Sequence, residues 1–116
     1  MTLFTKEEMN NMKDVMKNGL PLPDDTNVSD FTLSIWEAIA KLPHPVDSTF
    51  NILGNSSILT VLNENKESVM IMNIDAYSVT FEVGKPLHQY NSADRHTAAF
   101  ATMTTIGVWN KLKYFV

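Results

Sequence analysis

The chain contains no cysteine. That excludes disulfide cross-links, thiolate catalysis and every zinc site with cysteine ligands. Arginine occurs once, as Arg95, and the nine lysine and arginine side chains are outnumbered by thirteen carboxylates, for a formal net charge of -4. With so few cations, scattered along the chain, there is no electrostatic footprint for a nucleic-acid backbone, and non-specific nucleic-acid binding is disfavoured. The four glycines form neither a phosphate-cradling loop nor a dinucleotide fingerprint. No apolar run approaches the roughly 18 residues of a membrane-spanning helix, and Met1-Thr-Leu-Phe-Thr-Lys6 has no basic-then-apolar targeting pattern, so the expectation is a soluble, cytoplasmic protein without membrane association.

What remains is ordinary core-forming material. A chain of 116 residues with 44% hydrophobic composition suits one domain over residues 1–116, burying roughly two-thirds of its unfolded surface.

Helical periodicity opens the chain. Thr5 stands as an N-cap with Glu8 closing a capping box, Phe4 can staple against Met9, and the helix is predicted over about Lys6 to Asn18. Gly19 then supplies a positive-φ stop, and Pro21 and Pro23 forbid continuation. Met9, Met12, Val15 and Met16 make a narrow apolar stripe on this helix, while Lys6, Glu7, Lys13, Asp14 and Lys17 face water. A second helix is predicted from about Ser29 to Leu42, with Phe31, Ile35, Ala38, Ile39 and Leu42 in helical register and Trp36 in its core.

Past Pro43-His-Pro45 the period changes to that of strands. Thr49 to Leu53, Ser57 to Leu62, Ser68 to Ile74 and Tyr77 to Val83 are candidate strands, separated by Gly54-Asn55, Asn63 to Lys66 and Asp75-Ala76. Connections this short predict an antiparallel meander. The continuous run Val69-Met-Ile-Met72 reads as an interior strand. Asn91 or Ser92 caps a third helix predicted from about Ala93 to Lys113, with Ala99, Phe100, Met103, Ile106, Gly107 and Trp109 facing the sheet and a break near Gly107. The fold class is therefore α+β: two N-terminal helices, a three- to four-stranded antiparallel meander, and a C-terminal helix packed on one face of the sheet.

Few chemistries fit these residues. Asp25, Asn27 and Ser29 imitate the start of a calcium loop, but Asp30 stands where glycine is needed and Trp36 where the bidentate carboxylate is needed. His88, Asp94 and His96 lack the spacing that enforces a metal site. Gly54-Asn-Ser-Ser57 is no nucleophile elbow. No catalytic motif and no cofactor site is read, which leaves a weak hydrolase using His88 or His96 as the last of the options.

Two binding readings follow. Lysine-rich, asparagine-rich usage is associated with small proteins of AT-rich genomes, bacteriophages among them. The first expectation is a non-catalytic accessory or inhibitory factor of phage or mobile-element type that blocks a host protein, with Glu7, Glu8, Met12 and Asp14 as its contact residues. The alternative is a module that binds a small, nucleotide-like anion at the start of the third helix. There Arg95 and His96 join the free N–H groups, and His88 and Tyr90 reach in from the preceding loop. Self-association is compatible with either.

Overall fold

The computed structural model describes residues 5–42, 46–85 and 87–115. Its elements are α1 (Lys6–Asn18), β1 (Leu20–Pro21), α2 (Val28–Ala40), β2 (Asp47–Leu53), β3 (Ser56–Leu62), β4 (Ser68–Ile74), β5 (Ser78–Glu82), a short 3₁₀ turn (Leu87–Gln89) and α3 (Ser92–Phe115). The fold is α+β, with all strands antiparallel in one sheet of order β1-β5-β4-β3-β2. No helix among the described residues is long and apolar enough to cross a membrane. Phe4 lies outside the described residues, and so does its expected role as a staple; the Pro43-His-Pro45 break lies outside them as well.

Local chemistry explains most boundaries. The Thr5 hydroxyl accepts from the Glu8 N–H, and the Thr5 N–H donates to Glu8 Oε1, both at 3.0 Å, completing the capping box of α1. The Asn27 side chain accepts from the Asp30 N–H at 3.0 Å and starts α2, one residue before the predicted first turn. At the β2–β3 hairpin, Gly54 takes φ +63° in a two-residue turn, and Leu53 pairs with Ser56. Such turns match the twist of the flanking strands and fix their register.

That register sorts the sheet into two faces. Leu59, Val61, Met70, Met72, Ile74 and Val79 are buried on one face with Phe31, Ile35 and Ile39 of α2 and Ala98 and Ala101 of α3. The opposite face exposes Thr49, Asn51, Leu53, Ile58, Thr80 and Glu82. Strand β4 is interior in the sense of having a strand on each side, but Ile71 and Asn73, which alternate with its buried methionines, are only half-buried.

Two expectations need correction. The meander has a fifth strand, because Leu20 and Pro21 pair with Val79 and Ser78. No period marks a strand of two residues, one of them proline; it exists only because α1 ends against β5. The buried face of α3 follows the predicted one only in part: Ala99 and Ile106 are buried as expected, but the deepest positions are different ones. Ala98, Ala101, Thr102 and Thr105 are its most deeply buried residues, Phe100 and Met103 are half-buried, Gly107 is exposed, and the helix runs on without a break. Small side chains let α3 approach the sheet closely. These threonines tolerate burial because their hydroxyls find partners, either back along the helix or at a buried sulfur. The Thr105 hydroxyl lies 2.8 Å from the Ala101 carbonyl oxygen and 3.2 Å from Met72 Sδ. Thr102 reaches Met70 Sδ at 3.5 Å.

Candidate functional site

The start of α3 is built by a turn some thirty residues earlier. Asn63 closes the β3–β4 connection by accepting from the N–H groups of Asn65 (2.9 Å) and Glu67 (3.0 Å) through Oδ1, while Lys66 adopts φ +64°. Its amide nitrogen then donates outward, to Asp94 Oδ1 at 3.1 Å and Glu67 Oε1 at 3.3 Å. One asparagine thus ties the turn to the first turn of α3. Asn91 caps that helix, its Oδ1 accepting from the Asp94 N–H at 2.8 Å.

The result is a polar cleft lined by Asn63, Glu64, Glu67, Asn91 and Asp94. Three carboxylates line a space that the sequence assigned to an anion. A negative ligand entering it meets like charge, which opposes the attraction of the helix N-terminus. The cleft suits hydrogen-bond donors better than phosphate.

The four residues expected to line an anion site are divided by the fold. Tyr90 is buried, and its hydroxyl donates to the Val69 carbonyl at 2.6 Å. The Lys85 ammonium stands 5.2 Å from its ring centroid, a cation–π arrangement that covers the ring. Tyr90 therefore anchors the loop to β4. His88, Arg95 and His96 are exposed. Arg95 makes no ion pair with another described residue.

On α1, the expected contact residues separate in the same way. Met12 is buried, with Val15, where α1 packs on β5 and α3, so it belongs to the interior of this chain. Met9 is the exposed methionine of that stripe, at 37%. Glu8 is committed to the capping box, and bonding to Thr5, through backbone and then hydroxyl, holds its carboxyl below the usual carboxylate range. Glu7 and Asp14 remain exposed and without ion pairs among the described residues. Lys66 and Asp47 form the one salt bridge there, on the surface, and the Lys66 bond, with a lesser contribution from the Ser48 N–H, lowers the Asp47 carboxyl as well.

The sequence reading missed Asn63, Glu64 and Glu67. Asn63 carried a weak signal as the first residue of a turn, but nothing local placed that turn beside Asp94. Among the described residues no group of three or more His, Asp or Glu side chains is placed to hold a metal ion. Comparison of the chain with protein-family models, with curated proteins and with solved structures finds no match.

Proposed function

We propose that this chain is a small non-catalytic binding protein of the cytoplasm, an accessory or inhibitory factor of the phage or mobile-element kind, which acts by occupying a protein of the host cell. The observation that carries the reading is the outward side of α1. Glu7 and Asp14 lie seven positions, about two helical turns, apart and so share one face of the helix. Neither is paired with the lysines of the same helix, among the described residues, and both are exposed. An exposed acidic pair of this kind, on a chain of net charge -4, is complementary to a basic protein surface and steers association with it.

The test is affinity capture from host extract with the wild-type chain and a Glu7→Lys/Asp14→Lys variant. The expected outcome is a discrete protein retained by the wild type, released by moderate salt and lost from the variant, whose circular dichroism matches wild type. Equal retention by both chains removes α1 from the interface.

A further inference from the structure

Strand β2 is an outer strand of the sheet: it pairs with β3 over Asp47–Leu53, and among the described residues no strand pairs with its other side. In an antiparallel ladder, the main-chain groups of successive residues point alternately to the two sides. Ser48 shows which residues point outward. Its N–H donates to Asp47 Oδ1 at 2.8 Å, and its carbonyl accepts from Trp36 Nε1 at 3.2 Å, so both of its main-chain groups are used off the ladder. Phe50 and Ile52 share that orientation, and neither makes a main-chain bond outside the sheet with another described residue. Each leaves one N–H and one C=O directed off the edge.

We propose that the chain self-associates through β2, antiparallel, about a two-fold axis passing at Asn51. In that register Phe50 lies opposite Ile52 of the partner subunit, and Ile52 opposite Phe50 of the partner subunit. Each pair exchanges two N–H···O bonds, so every outward group of Phe50 and Ile52 is satisfied. The axis position is selective. Centred on Phe50 instead, the strands set Ile52 against Ser48, whose groups are already bonded.

Side chains and charge point to a second copy as the occupant. Phe50 and Ile52 stand on one face and pair apolar with apolar, while Thr49 meets Leu53 of the partner subunit on the other. Three large exposed apolar side chains sit on this hairpin, Phe50 (37%), Leu53 (59%) and Ile58 (40%). Residues 48–53 carry no charge, and neighbouring Asp47 is bonded to Lys66 of its own chain. Two molecules of net charge -4 thus meet where neither presents an unpaired charge. The devices that keep edges apart, an outward lysine, a proline or a bulge, are absent from β2, whose pairing with β3 runs without a register shift.

The experiment is sedimentation equilibrium of the full chain from micromolar to submillimolar concentration, for wild type, Asn51→Lys, Asn51→Asp and an equimolar mixture of the two variants. Asn51 is exposed, so each variant keeps its fold, checked by circular dichroism. Across the axis residue 51 faces its own copy, so each variant sets like charges opposite one another. A wild-type dimer, with its dissociation constant raised roughly tenfold or more in each variant and recovered in the mixture, is expected. A wild type that stays monomeric throughout overturns the proposal. So does a variant that dimerises as tightly as wild type, or a mixture that associates no better than its components.

Discussion

The two edges of the sheet solve one problem in opposite ways. At the β1 edge the outer strand is two residues long, and one is Pro21, which has no N–H to offer. Trp109 of α3 closes it further, its indole N–H donating to the Pro21 carbonyl at 2.6 Å. At the β2 edge the outer strand is seven residues long, and its protection stops after Ser48. Both edges are guarded by a tryptophan from a helix. The difference is that the first guard covers a strand with little left to pair, and the second leaves Phe50 and Ile52 open. Edge protection therefore depends on which main-chain groups are used, more than on a bulky side chain standing nearby.

The β1 edge is most easily lost at Gly19. It has φ +76° and ψ -173°, a region open essentially to glycine, and a Cβ there would overlap the Val79 carbonyl oxygen. Gly19→Ala must push β1 off β5 or distort β5 itself, at a cost of about 3 kcal/mol or more. Chemical denaturation reads this as a large fall in midpoint, with faster amide exchange at Leu20 and Leu22.

Trp36→Phe sharpens the other edge. The ring position against Phe50, at 5.5 Å between centroids in an edge-on arrangement, is largely kept, while the donor to the Ser48 carbonyl is lost. About 1 kcal/mol of stability is expected to go with that hydrogen bond. Because the open stretch of β2 lengthens, self-association is expected to tighten. Sedimentation and denaturation together distinguish the two effects.

Gly107→Ala serves as a control away from both edges. The site is exposed within α3, and a Cβ there meets nothing within 4 Å. A gain of about 0.5–1 kcal/mol is expected from helix propensity alone. Neither edge should respond.

The smallest effect comes from acid. Asp47 titrates below the usual carboxylate range because of Lys66 and the Ser48 N–H. A depressed folded-state value contributes stability that is present above the unfolded-state value and is lost as pH falls through the folded one. With both side chains more than half exposed (70% and 51%), solvent screening limits the loss to about 0.5 kcal/mol or less. It is measured as the difference between wild type and Asp47→Asn in denaturation midpoints at neutral and acid pH, which should converge in acid.

Much of this architecture is legible locally. β4 falls on the predicted residues, and the Gly54-Asn55 turn with its flanking alternation marks the β2–β3 hairpin, because a two-residue turn fixes register without help from elsewhere. Positive φ at Gly19 is also readable from the prolines that follow. Its ψ is not, since that depends on the approach of β5. Likewise, hydrophobicity alone finds Ala99 and Ile106 on α3 but misses Thr102 and Thr105, which are buried more deeply. A threonine is polar in the chain, yet in the helix its hydroxyl finds the carbonyl one turn back, and its methyl group is free to pack.

The candidate site was less readable still. Asp94 and Asn91 announce a helix start, which is a matter of neighbouring residues. Whether that start attracts an anion depends on Glu64 and Glu67, brought there by Asn63 across the β3–β4 turn. The caps, the turns and the strand and helix periods are written locally in the chain, because these depend on groups within about four residues of one another. The fifth strand, the burial of Tyr90, the acidic lining at α3 and the open edge at Phe50 and Ile52 arise from packing between distant segments. Each of these depends on what a distant segment places beside a residue, and no local period carries that information.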